Sequence, residues 1–178
     1  IKDLRIIFEI ENKHMAFDLI MTKKKMKFQA FANWFKKRKN RVDYVIINKK
    51  NNKIIGVINT VFYMNNKILF GELSKYIGLK KFREMGLLTE AAKEWINFIF
   101  ISTNIQFLID QNLKKNLYNK NTNLNLGFAI LKDKKNQKKS ELYSMKLTRK
   151  KWELNNEEVL RNIYFSDFKQ ILTWRNSL

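Results

Sequence analysis

The chain has 178 residues, 45% of them hydrophobic, with no cysteine and a formal net charge of +20. This length suits one α/β domain with a sizeable core, and the lack of cysteine excludes disulfides, thiolate chemistry and cysteine-type metal sites. No stretch reaches the roughly 18 consecutive apolar residues of a membrane span, and the start, IKDLRIIFEIEN, lacks a signal-peptide pattern, so we expect a cytoplasmic protein without membrane contact.

The excess of basic residues is compatible with nucleic acid, an anionic cofactor or no specific partner. The basic runs are scattered along the chain, at Lys23–Lys25, Lys36–Lys39, Lys132–Lys139 and Arg149–Lys151. A nucleic-acid-binding tail usually gathers its basic residues in one block. Nucleic acid is therefore a disfavoured partner, and a solvated basic surface is the favoured interpretation.

The first part of the chain predicts helices followed by antiparallel strands. Residues 1–19 are compatible with one or two helices, and apolar residues at helical spacing predict an amphipathic helix over Phe28–Phe35. Strands are predicted over Asp43–Ile47, Ile54–Tyr63 and Ile68–Ile77. The Asn65-Asn66 pair predicts a hairpin turn between the last two strands.

The segment Tyr76–Phe98 predicts the end of a strand, a basic turn and a helix with one apolar face. The first N–H groups of such a helix lack partners and, with the helix dipole, form a site for a phosphate or pyrophosphate. Gly86 in the turn tolerates a positive φ and lets a phosphate approach closely. An ordinary strand-to-helix turn is the alternative interpretation.

The remainder predicts a strand over Ile105–Asp110, one helix within Gln111–Asn125, and strands over Gly127–Leu131 and Ser140–Leu147. The sum is a mixed α/β domain with a central, mostly antiparallel sheet flanked by helices.

This order of elements and its motifs resemble the GNAT superfamily of acetyl-CoA-dependent N-acetyltransferases. The family pattern [RQ]-x-x-G-x-[GA] falls on Arg83-x-x-Gly86-x-Leu88, and the following L-L-T-E-A resembles acetylases of ribosomal-protein N-termini and of amino sugars. Glu72–Tyr76 looks like the family's E-I-G-Y, Leu126–Phe128 matches L-G-F, and Tyr143–Trp152 looks like its closing motif. The resemblance defines a domain over residues 1–154 that lacks the family's first strand.

The resemblance implies acetyl-CoA as cofactor and no metal. Pantetheine would lie between the splayed fourth and fifth strands along Ile77, Gly78 and Leu79. The pyrophosphate would bind the backbone amides of the turn and first helical residues, Arg83, Glu84, Met85, Gly86, Leu87, Leu88 and Thr89. Glu84 stands where the family usually has glycine, and Leu88 stands where it has a small residue. These departures suggest looser binding, with Leu88 crowding the pyrophosphate, or a Glu84 side chain turned outward.

The family's cofactor-binding asparagine has two possible counterparts. Reading forward from the strand Ile105–Asp110 selects Asn112, with Tyr118 near the family's tyrosine; counting back from Gly127 selects Asn116, with Asn123 at the tyrosine position. We favour the first alignment. By resemblance, Tyr118 would protonate the departing thiolate and Glu72 would accept the proton of the amine. The alternatives are an ordinary helix tyrosine and an exposed strand carboxylate paired with a lysine.

The acceptor pocket implied by the resemblance includes His14, Trp34 and Phe35. His14 is the one histidine of the sequence, and histidine is the residue type whose unperturbed pKa lies near neutrality. A surface position for His14 and a core position for the two aromatic residues are the alternatives.

Residues 155–178 form a tail that resembles the first strand and helix of a GNAT domain and aligns with the head of this same chain. The tail is interpreted as a truncated repeat or as an element that completes a sheet, in its own chain or in a homodimer.

Three functions follow. The favoured one is N-acetylation of a small amine, such as a nucleotide-linked amino sugar. The second is N-terminal acetylation of a basic protein, and the third is an inactive GNAT scaffold that binds nucleic acid.

Overall fold

A six-stranded sheet is the centre of the described chain, and the computed structural model describes residues 2–13, 26–131 and 141–157. The strands are β1 (Arg41–Asn48), β2 (Lys53–Asn65), β3 (Ile68–Ile77), β4 (Phe107–Leu113), β5 (Ala129–Ile130) and β6 (Leu142–Thr148). The helices are α1 (Lys2–Lys13), α2 (Phe28–Lys36), α3 (Leu87–Ser102), α4 (Leu117–Asn125) and α5 (Arg149–Asn155). The predicted mixed α/β architecture is confirmed. His14 and most of the predicted tail lie outside the described residues.

The strand order is β1-β2-β3-β4-β6-β5, and β3 and β4 form the parallel pair of this sheet. The predicted hairpin between β2 and β3 is present, with positive φ at Asn66 (46°) and Lys67 (65°), as a tight hairpin turn requires. β4 begins two residues later than predicted, and the Ile105 carbonyl before it accepts a hydrogen bond from the side chain of Arg149.

Apolar side chains cover both faces of the sheet. On one face, Trp95, Ile99 and Phe100 of α3 pack against strand residues such as Leu73 and Leu108. On the other face, Leu4 and Ile7 of α1 and Phe31 of α2 pack against Val57. The central strands are therefore buried from both sides, which fixes their register. None of the described helices has both the length and the apolar character that crossing a bilayer requires.

Arg149 closes the end of α3. Its guanidinium donates hydrogen bonds to the carbonyls of Phe100 (2.8 Å), Thr103 (2.6 Å) and Ile105 (2.8 Å). These are carbonyls of the last helical turn and the following loop, which lack helix partners. One side chain thus joins α3, the start of β4 and the end of β6.

We expect the substitution Arg149→Met to lower the free energy of unfolding by about 2 kcal/mol, because it leaves three carbonyls without their charged donor. Urea denaturation measures this change. The matched control is Lys150→Met at the exposed neighbouring position, for which we expect less than about 0.5 kcal/mol. Equal effects of the two substitutions would contradict this role of Arg149.

Candidate active site

The neighbouring strands β3 and β4 separate along their length. They pair at Phe70 with Phe107, Gly71 with Leu108 and Glu72 with Ile109. Beyond this point β3 continues to Ile77 and β4 to Leu113 without pairing to each other. The expected splay of these strands is confirmed, and Glu72 stands at the last paired position before the gap.

The turn after β3 leads into the exposed N-terminus of α3. Glu84 (φ 62°) and Gly86 (φ 76°) both have positive φ, and Gly86 precedes the first helical residue. A Cβ placed on Gly86 would meet no atom within 4 Å, so the space in front of the helix is open. The first helical hydrogen bond is donated by Glu90 to the Gly86 carbonyl, so the N–H groups of residues 87–89 precede it. This geometry fits a phosphate or pyrophosphate.

The structure also shows where the atypical residues of the turn lie. Leu88 is buried in the core against the sheet, so its side chain does not crowd the phosphate side as expected from the sequence. Glu84 is exposed, in agreement with the outward alternative. Arg83 donates to the carbonyls of Ile77 (3.0 Å) and Gly78 (2.7 Å), so its side chain ties the turn to the end of β3.

Gly78, directly after β3, lies in close contact with α1. A Cβ at this position would lie 1.9 Å from Cγ2 of Ile10, which is closer than two non-bonded carbon atoms can approach. The glycine therefore permits direct contact between the helix and the strand backbone. Leu79, which follows, donates with Gly78 to the Ile55 carbonyl.

Glu72 faces the side of the sheet that carries α1 and α2. It is half-buried, and the Tyr63 hydroxyl donates to its Oε2 atom at 3.2 Å. In register with it across the sheet are Val61 and Arg41. The next residue of β3 on the same face, Ser74, is exposed. A solvent-accessible carboxylate thus stands at the head of the gap.

A second carboxylate on this face was not singled out from the sequence. Glu11 of α1 accepts a hydrogen bond from the Tyr76 hydroxyl (2.9 Å), and Arg38, Arg41 and Asp43 lie near it. Burial raises the pKa of Glu11 and outweighs the Tyr76 hydrogen bond, which lowers it. Burial likewise raises the pKa of the Tyr76 phenol. Because Glu11 and Tyr76 lie 65 residues apart along the chain, no local sequence pattern predicts this contact.

The predicted acceptor residues Trp34 and Phe35 lie at the end of α2. Trp34 is 44% exposed, and the Arg38 guanidinium lies 4.1 Å from its ring centroid. Phe35 is partly buried against Phe31, and Arg38 also contacts its ring. Arg38 in turn reaches Asp43 (3.4 Å), which is in register with Asn59 and Ser74. Arg38 and Asp43 thus link the exposed Trp34 ring to the sheet near Glu72.

The candidates of the segment 111–125 lie in three different environments. Asn112 is buried on β4 beside the gap, whereas Asn116 is the N-cap of α4 and accepts from the Asn119 N–H (3.1 Å). Tyr118 is 39% exposed near the start of α4. Asn112 therefore lies at the gap, whereas the side chain of Asn116 caps the N-terminus of α4.

A buried polar cluster lies in the gap; its members are Lys75, Asp110, Asn112, Asn119 and Asn123. Lys75 forms an ion pair with Asp110 and donates to Asn123 (2.7 Å), while Asn112 donates to Asp110 (2.7 Å). We call this set the gap cluster. The signal in the sequence was a lysine at a core-facing position of β3, between Leu73 and Ile77, which requires a buried partner.

The pyrophosphate end of the implied cofactor site therefore fits, because the turn is open and its amides face forward. In the deeper part of the site, the Lys75–Asp110 ion pair of the gap cluster joins β3 to β4 across the gap, and its side chains are buried. The described residues contain no group of His, Cys, Asp and Glu arranged to hold a metal ion.

Comparison with known proteins agrees with this geometry. The profile of the acetyltransferase (GNAT) domain matches residues 2–129. No curated protein sequence matches the chain. Similar solved structures include spermidine N-acetyltransferase from Vibrio cholerae in complex with CoA and spermine (TM-score 0.72, 14% identity, covering 85% of this chain and 92% of that one).

Two further similar structures have other acceptors in their names. Ribosomal-protein-S5-alanine acetyltransferase from Vibrio fischeri has a TM-score of 0.69 and 14% identity, covering 85% of this chain and 90% of that one. FdhC, described as a nucleotide-linked sugar GNAT, has a TM-score of 0.69 and 15% identity, covering 90% and 89%. At these identities the likeness establishes the fold.

The raised pKa of Glu11 makes stability depend on pH in a defined direction. The folded state holds the Glu11 proton more tightly than the unfolded state, so its contribution is full below the ordinary pKa of 4.5 and is lost as pH rises through the raised value. We expect Glu11→Gln, which keeps an acceptor for Tyr76, to remove this decline. Melting temperatures from pH 4 upward measure it, with Glu9→Gln as control; parallel curves for wild type and Glu11→Gln would contradict the prediction.

Proposed function

Because the chain belongs to the GNAT acetyltransferase family, we propose that it transfers an acetyl group from acetyl-CoA to the primary amine of a nucleotide-linked amino sugar. The observation that carries this proposal is the gap between β3 and β4, with Glu72 at one end and the open turn of Gly86 at the other. GNAT enzymes are N-acetyltransferases, and acetyl-CoA is the donor of this family. The acceptor is the part that we add.

The chain contributes placement and proton transfer to this reaction. The N–H groups of residues 87–89, at the positive end of the α3 dipole, bind the pyrophosphate. Acetyl-CoA supplies the activated thioester when it is bound. The carboxylate of Glu72 accepts the proton of the acceptor amine, directly or through water. Tyr118 on α4 is the proposed proton donor for the departing thiolate.

Charge supports an anionic acceptor. The net charge of +20 attracts anions and repels a polyamine such as spermine. It therefore raises the rate at which the enzyme encounters an anionic substrate. Trp34 offers an exposed ring for a nucleobase, and the neighbouring Arg38 carries a positive charge. A nucleoside diphosphate matches this combination of aromatic surface and positive charge.

An acceptor screen tests the choice. With acetyl-CoA as donor, thiol release is measured for a nucleotide-linked amino sugar, for spermidine and for a basic peptide with a free N-terminus. We expect the nucleotide-linked sugar to have at least tenfold higher kcat/KM than either cation. Preference for the peptide would establish N-terminal acetylation instead. CoA binding without turnover of any acceptor, combined with salt-sensitive DNA binding, would favour the inactive scaffold.

We expect Glu72→Gln to lower kcat by about 100-fold while CoA affinity stays unchanged, because the amide cannot accept the proton of the amine. Turnover at saturating acceptor and calorimetry with CoA measure the two quantities. Glu94→Gln, at an exposed position of α3, is the matched control. A kcat equal to that of the control would show that Glu72 takes no part in proton transfer.

A further inference from the structure

The gap cluster lies across the route between the two ends of the site. Lys75 is three residues beyond Glu72 on β3, a distance of about 10 Å along the strand, and three residues before Gly78. Its ammonium group reaches Asp110 on β4, and Asn123 of α4 contacts both of them. A pantetheine arm that leads from the Gly86 turn towards Glu72 must pass this point. The inference that follows rests on the proposed function.

The members of the gap cluster are closed off from solvent. The side chain of Lys75 is 0% exposed and that of Asp110 4%. A channel ready to receive a pantetheine arm would expose its walls, and these walls are sealed. The described structure thus has a gap in its backbone pairing that side chains fill.

Among the described residues, two buried polar groups at the gap cluster have no hydrogen-bond partner. The Oδ1 atom of Asn119, a member of the cluster, accepts no hydrogen bond within the described parts of the chain, and the hydroxyl of Tyr143 makes none there. Tyr143 is in register with Asn112, and burial, with the nearby Asp110 carboxylate, raises the pKa of this phenol to about 12. Buried polar groups without partners are rare and costly. One free acceptor and one free donor match an amide, which offers both an N–H and a carbonyl, and pantetheine contains amides.

We propose that the Lys75–Asp110 ion pair is a plug that closes the gap in the free protein and leaves it when the pantetheine arm of CoA enters. Lysine suits this role because its four-carbon stem can turn aside without movement of the backbone. Displacement separates a buried ion pair, which is costly. That cost is offset in part by new partners for Asn119 and Tyr143, and it lowers the apparent affinity by the fraction of open molecules.

Two double variants separate the plug from other roles of the pair. Lys75→Ala with Asp110→Ala removes both charges and empties the gap, whereas Lys75→Met with Asp110→Leu removes the charges but keeps the volume. Neither leaves either charge of the pair buried alone, and thermal unfolding is used to verify that each variant is folded. Calorimetry measures binding of CoA and of adenosine 3′,5′-bisphosphate, which has the nucleotide end without pantetheine.

We expect the emptied variant to bind CoA at least tenfold more tightly than wild type, while the filled variant gains nothing. All three proteins are expected to bind the bisphosphate equally. CoA affinity in wild type equal to or higher than in the emptied variant would overturn the plug. Failure of all three proteins to bind either probe at millimolar concentration would overturn the proposed function, and the plug with it.

Discussion

The short parallel contact between β3 and β4 is the constraint on which the candidate site depends. Each strand has a partner on its other side along its length, β3 with β2 and β4 with β6, so separation does not unfold either strand. It leaves backbone N–H and C=O groups along the two facing edges beyond Glu72. Such groups need partners, and an extended amide-containing molecule supplies them as a further strand would. Because the β3–β4 pairing ends at Glu72, the two strands offer backbone groups with which an extended ligand can pair.

The two faces of the sheet at the gap differ in character. On the side of α3 and α4, the gap cluster joins two charged and three amide side chains in a closed network, whose members depend on one another. On the side of α1 and α2, Glu72 and Ser74 remain open to solvent. The face that carries Glu72 is therefore accessible from solvent, whereas the gap cluster on the other face is buried. The proposed proton acceptor Glu72 and the buried Lys75–Asp110 ion pair thus lie on opposite faces of the sheet.

Local chemistry made part of this structure predictable. The Asn65-Asn66 turn and the glycine before α3 follow from conformational preferences that a few neighbouring residues determine. The inward position of Leu88 was missed because it depends on how α3 rotates onto the sheet. The contact of Lys75 with Asp110 joins residues 35 apart, and that of Glu11 with Tyr76 joins residues 65 apart. A lysine at a core-facing strand position indicates that a buried partner exists, but only the three-dimensional fold identifies that partner.

The contact of Ile10 with Gly78 has a mechanical consequence. Residue 78 has no side chain that could rotate to absorb a shift of α1, and its carbonyl is held by Arg83 at the start of the turn. A displacement of the helix that covers the Glu72 face therefore passes through one backbone residue to the loop in front of α3. Ile10, Gly78 and Arg83 thus form a continuous path of contacts from α1 to the turn before α3. The close contact of Ile10 with the backbone of residue 78 thus gives the covering helix and the turn in front of α3 a common support.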